Sequence, residues 1–142
     1  MERYIDLLKR LISIPSFSKE EEKAAAALRR FLTEEDIPFH VKKNNTWIVN
    51  KHFDPGKHTI LLNSHIDTVR PAQGYELDPF SPIEDDDKLY GLGSNDAGGS
   101  LVALLAAFTH FYEREDLPWN LVYAATAEEE ISGRQGLEIV LP

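Results

Sequence analysis

Apolar residues at Ile5, Leu8, Leu11 and Ile12 recur at helical spacing and predict a first helix over residues 2–12, ended by Pro15. Ser18 and Glu21 stand at capping-box spacing, which predicts a second helix through Ala24-Ala25-Ala26-Ala27-Leu28 to about Glu35, before Pro38. Glu20 and Glu22 favour that helix N-terminus, and the glutamate run reads as solvated charge. Short strands are expected at 39–42 and 47–50, then a turn at Asp54-Pro55-Gly56 and a buried strand over 59–63. Residues 71–82 read as loop, followed by a small hairpin, 81–85 with 88–90, around Asp86-Asp87. The strongest helical pattern covers 97–114, with Leu101, Leu104, Leu105, Phe108 and Phe111 on one stripe. A central strand at Asn120–Thr126 and a short final helix close the order.

Strands alternating with helices predict an α/β chain whose sheet is covered on both faces. The functional crevice of such a sheet lies beyond its strand ends. A length of 142 residues predicts one domain, and 42% hydrophobic content supports a core. No window approaches the roughly 18 apolar residues of a membrane span, and the start carries acids rather than a basic and apolar leader. The expectation is a soluble, cytoplasmic chain without a membrane partner. The formal charge of -9 argues against nucleic acid, which demands a basic patch. With no cysteine there is neither a disulfide framework nor a thiolate metal site, so any metal must be held by imidazole and carboxylate.

Three segments carry candidate chemistry. The first is the apolar run ending in Ser64-His65-Ile66-Asp67. Alternation along a strand turns His65 and Asp67 to one side as the chain leaves the sheet. An imidazole beside a carboxylate suits a metal ligand whose second nitrogen is held by an acid. The second segment surrounds Asp96, which directly precedes a helix. An N-cap is one reading of Asp96. Gly91, Gly93, Gly98 and Gly99 exceed what a cap needs and suggest close backbone approach to a ligand, where a carboxylate could bridge two ions. The third is Glu128-Glu129-Glu130, directly after the apolar strand. Three acids there form either a solvated turn or a site in which one ligates and a neighbour takes the proton of the attacking water. His40, His52, His58 and His110 lack an acid at ligand spacing and stay outside the site.

Together these motifs resemble the M20 family of metallopeptidases and amidohydrolases, over essentially the whole chain. The resemblance implies a three-layer αβα catalytic domain with a mixed sheet, of zinc-exopeptidase type. It implies two bridged zinc ions, with cobalt as an alternative. By position it makes His65 a ligand of one zinc, Asp67 the acid orienting it and Asp96 the bridging carboxylate. Glu129 becomes the general base and Glu130 the ligand of the second zinc. A slip of one residue would move the last two roles to Glu128 and Glu129. A cis peptide is implied at Asp96-Ala97. Leu92 and Gly98 stand where the family often has Arg and Lys, and Gly91-Leu92-Gly93-Ser94-Asn95-Asp96 looks most like acetylornithine deacetylase-type proteins. The family's further ligands, an acid and a distant histidine, and its inserted dimerisation domain would lie beyond Pro142.

The chain is therefore expected to be the N-terminal part of the catalytic domain, inactive alone and belonging to a homodimer when full length. The expected reaction is hydrolysis of the N-acyl amide of a small amino acid, N-acetylornithine first, with N-succinyl amino acids or dipeptides as alternatives. The competing expectation is a non-catalytic fragment or interaction module with an incomplete metal site.

Overall fold

The computed structural model describes residues 1–141. Helix α1 (Glu2–Ile12) packs Leu8, Leu11 and Ile12 of the expected stripe against the core and adds Tyr4 and Leu7, while Ile5 stays exposed. Helix α2 is Glu22–Glu34, shorter at its start than the capping box predicts. Its alanines Ala24, Ala25 and Ala27 are buried and present little bulk to neighbouring elements. Asp36 adopts a left-handed conformation (φ 55°), and Ile37 N–H closes back on the Leu32 carbonyl at 2.9 Å, a helix stop completed by Pro38.

Strands β1 (His40–Lys42), β2 (Asn45–Val49), β3 (Thr59–His65) and the last strand, β6 (Asn120–Thr126), form one sheet in the order β1-β2-β6-β3. Strand β6 runs antiparallel to β2 and parallel to β3, so the sheet is mixed and β6 is central. Strand β3 is an edge strand whose first residues are exposed, where the sequence predicted burial. Strands β4 (Ile83–Asp85) and β5 (Lys88–Tyr90) form the expected hairpin, with Asp86 and Asp87 both at positive φ in its turn. Helix α3 (Ser100–Phe111) begins after an irregular turn over Ser94–Gly99, so its regular part starts later than the pattern suggested.

Helices α1, α2 and α3 share one core with Ile48, Leu121, Tyr123 and Ala125 of the sheet. Tyr123 is fully buried between the sheet and α3, and its hydroxyl donates to the Leu101 carbonyl at 3.3 Å. On the opposite face Trp47, Val49 and Val122 are half-buried and Ala124 is buried. The expected final helix is a single tight turn, Leu137–Ile139. No helix of the described residues is long and apolar enough to cross a membrane.

Candidate metal centre

The C-terminal ends of the parallel pair β3 and β6 lie side by side, with His65 opposite Thr126. Each strand therefore delivers its following loop to the same place: His65-Ile66-Asp67 from one, Glu128-Glu129-Glu130 from the other. The turn before α3 brings Asp96 to the third side. One ligand atom from each of His65, Asp96 and Glu130 lies within 4.8 Å of the others.

His65 Nε2 is 3.0 Å from Asp96 Oδ1 and 3.7 Å from Glu129 Oε2. On its other side, Nδ1 lies 2.9 Å from the Asp67 carbonyl oxygen and 3.5 Å from Asp67 Oδ1. The backbone oxygen is thus the nearer acceptor, and it leaves Nε2 as the nitrogen free to ligate. Asp96 does not cap α3: no side-chain cap is made there, and the Asp96-Ala97 peptide is cis.

Asp67 is buried and acts as a hub. Its Oδ2 accepts from the Ser18 hydroxyl at 2.6 Å and from Glu130 N–H at 3.2 Å, while Oδ1 accepts from Glu129 N–H at 3.1 Å. One carboxylate thereby joins the histidine strand to the glutamate turn. Burial works against its charge, but His65, Ser18 and the two amides outweigh this and hold the Asp67 carboxyl below its ordinary range. Ser18 is a residue the sequence reading missed. Its position before α2 suggested a cap, but its hydroxyl points to Asp67. Glu21, read as solvated, is instead fully buried.

The three glutamates separate by role. Glu128 is buried at positive φ (57°), and its Oε2 accepts from Gln135 N–H at 3.4 Å. A Cβ on Gly133 would come within 2.1 Å of that same oxygen, so glycine makes room for this carboxylate. Glu129 is exposed at the cleft, and Glu130 is half-buried. Burial first, then the charge of Asp96, pushes the Glu130 carboxyl up, which marks a place where anionic charge accumulates. The remaining histidines lie elsewhere: His40 stacks on Trp47, and His52 faces Glu115 at 3.7 Å.

The Asp67 carboxylate foremost, opposed by burial and helped by its own carbonyl and by Asp96, raises His65 from 6.5 to about 9. Protonated His65 therefore stabilises the fold fully below about 6.5, and this contribution is lost as pH rises toward 9. Protein stripped of divalent metal by a chelator is expected to show a falling denaturation midpoint across that window. His65→Gln should flatten the slope, and a midpoint that stays constant in the unsubstituted chain would contradict the arrangement.

The glycines beside Asp96 are sterically required. Gly93 has φ 74°, and a Cβ there would meet Thr68 Cγ2 at 2.6 Å. At Gly98 a Cβ would lie 2.6 Å from the Gly93 carbonyl oxygen and 2.7 Å from Leu8 Cδ1. That carbonyl is fixed, because Gly98 N–H donates to it at 2.8 Å. Gly98→Ala is therefore expected to destabilise the chain by about 1–3 kcal/mol. It should also weaken metal binding, since Asp96 lies inside the distorted turn. A denaturant midpoint and a metal titration check both.

Residues 61–141 match peptidase family M20/M25/M40. Succinyl-diaminopimelate desuccinylase of Nitratiruptor sp. is 28% identical over 138 residues, covering 96% of this chain and 37% of that protein. The chain thus spans little more than a third of the length of this curated relative. An M20 family metallo-carboxypeptidase from Sulfolobus solfataricus superposes with a TM-score of 0.78 at 23% identity, over 99% of this chain and 34% of its own. A Bacillus subtilis protein described as a dinuclear metal-binding peptidase gives 0.71 at 20% identity, over 98% and 38%. Both share the α/β fold with its mixed sheet.

Proposed function

Because the chain belongs to peptidase family M20/M25/M40, we propose that it supplies the first metal-binding segment of a hydrolase cleaving the amide bond of a small N-acyl amino acid or peptide. The observation carrying this reading is the convergence of His65, Asp96 and Glu130 within 4.8 Å. The donor set fits the proposed metal. One imidazole and two carboxylates, with no cysteine in the chain, suit zinc, and cobalt as its substitute. Two ions agree with the dinuclear description of the Bacillus subtilis peptidase.

In this reading His65, Asp96 and Glu130 would hold the metal. When bound, such ions lower the pKa of water and polarise a carbonyl oxygen. The chain's own groups do the rest. Glu129, exposed and outside the ligand set, accepts a proton from the attacking water as its oxygen bonds to the acyl carbon. It then passes that proton to the amine nitrogen as the carbon–nitrogen bond breaks. Asp67 keeps the His65 ring oriented, and Ser18 keeps Asp67 oriented. Glu128, whose carboxylate lies under Gly133 and outside the metal group, favours the register with Glu129 as base and Glu130 as ligand.

The name of the Nitratiruptor relative supports placing N-succinyl-diaminopimelate beside N-acetylornithine at the head of a substrate panel. The remaining metal ligands and the substrate-recognising groups are proposed to come from segments corresponding to the uncovered two thirds of such relatives, in a homodimer located in the cytoplasm. Cobalt titration followed by visible absorption tests the metal reading directly. The chain should develop an absorption band that His65→Ala removes, whereas equal binding by both would refute it and favour a non-catalytic interaction module.

A further inference from the structure

Four consecutive backbone N–H groups, from Ala127 to Glu130, each donate to a side-chain oxygen contributed from elsewhere in the chain. Ala127 N–H reaches Asn45 Oδ1 at 2.9 Å and Glu128 N–H reaches Glu21 Oε1 at 3.3 Å. Glu129 and Glu130 take the two oxygens of Asp67. Asp67 belongs to the site already described, but Asn45 and Glu21 do not touch the metal group. Both are fully buried. A carboxylate is withdrawn from water only where hydrogen bonds compensate it, and Glu21 has them on every side. Its Oε1 also accepts from Lys19 N–H at 2.6 Å, and its Oε2 accepts from Asn44 Nδ2 at 2.8 Å. Asn45 in turn donates to the Gln135 carbonyl at 2.7 Å, closing the far end of the same loop.

We propose that Glu21, seconded by Asn45, is a positioning residue that sets the glutamate turn and through it the placement of Glu129 and Glu130. This rests on the metal reading of the site. The turn begins with Glu128 at positive φ (57°), a conformation that few residues hold without support. Glu21 grips the N–H of that residue. Releasing it frees the turn to relax, which moves the two acids that follow. The acceptor geometry matters here, not the negative charge alone.

The test compares Glu21→Asp with Glu21→Gln. The aspartate withdraws the carboxylate by about 1.5 Å, one carbon–carbon bond. The glutamine keeps the reach and one acceptor oxygen, and Asn44 can turn its amide to meet the new one. Glu21→Asp is expected to weaken cobalt binding by about ten- to a hundredfold, the range for partners that orient ligands. Amide exchange at Glu128 should quicken about tenfold in metal-free protein, the equivalent of one hydrogen bond. Glu21→Gln should restore both toward the unsubstituted protein. Leu32→Ala, a destabilising core change in the far half of α2, should leave cobalt affinity within about twofold below its melting temperature.

Unchanged cobalt affinity in Glu21→Asp overturns the proposal, as does equal loss in Glu21→Gln or in Leu32→Ala. If the unsubstituted chain binds no cobalt, the metal reading itself fails. In that case the amide exchange of Glu128 still decides whether Glu21 holds the turn.

Discussion

Glu129→Gln is expected to lower turnover by about 10²–10⁴-fold, the range for removing a general acid–base group, while metal content stays at the level of the unsubstituted protein. On the proposed reading that further ligands come from segments outside this chain, the measurement uses a polypeptide that carries them. Glu129 is exposed, and its nearest approach to the histidine, 3.7 Å, is longer than a hydrogen bond. Its backbone N–H is held by Asp67 whatever its side chain is. An amide at this position keeps size and polarity but accepts no proton at neutral pH, so the loss should fall on kcat with KM little changed. Loss of metal together with retained turnover would contradict this and assign Glu129 to the ligand set.

Asp67→Ala should have the largest structural effect. It leaves the Ser18 hydroxyl and the amides of Glu129 and Glu130 without their acceptor, and His65 without the carboxylate on its Nδ1 side. Breaking a buried charged pair by removing one member destabilises by about 3–5 kcal/mol. Metal affinity should fall with it, by about ten- to a hundredfold or more, because the histidine and the glutamate turn lose their common anchor. Chemical denaturation and a cobalt titration measure the two effects separately. Because the Asp67 carboxyl is held below its ordinary range, its stabilising contribution is present above about pH 4 and is lost on acidification through the depressed value. The slope of stability against pH in that acid range should be shallower in Asp67→Ala, with Glu113 beside Lys51 and Asp116 beside Arg114, both also held low, carrying what remains. An unchanged slope would contradict this role of Asp67.

Much of this was legible because the signals are local. Apolar runs announced β3 and β6, Asp86-Asp87 announced the hairpin turn, and the glycines around Asp96 announced a tight backbone. The partners that organise the site were not, because they are distant in sequence. Ser18 and Asp67 are 49 positions apart, Asn45 and Ala127 are 82 apart, and Glu21 and Glu128 are 107 apart. Ser18 and Glu21 did give a signal, the capping-box spacing, but tertiary partners outbid the local helix for both side chains. The stripe of α1 held at Leu8, Leu11 and Ile12 and failed at Ile5 for a related reason. Tyr4 packs against Phe31 of α2, a contact invisible in the local pattern, and is buried where Ile5 is exposed.

Glu129 and Glu130 are held through their main-chain amides, in a row of four gripped from Ala127 onward, and neither uses its side chain to stay in place. Position and chemistry are therefore separable at these two residues. A designer can exchange the group at Glu130, aspartate to shorten its reach or histidine to soften the donor set, and expect each to be presented from the same backbone point. Ligand softness governs which first-row metal a site prefers. On the proposed reading of Glu130 as a ligand, metal preference in this scaffold would be open to redesign at a single codon, on a mount that does not depend on what is fitted to it.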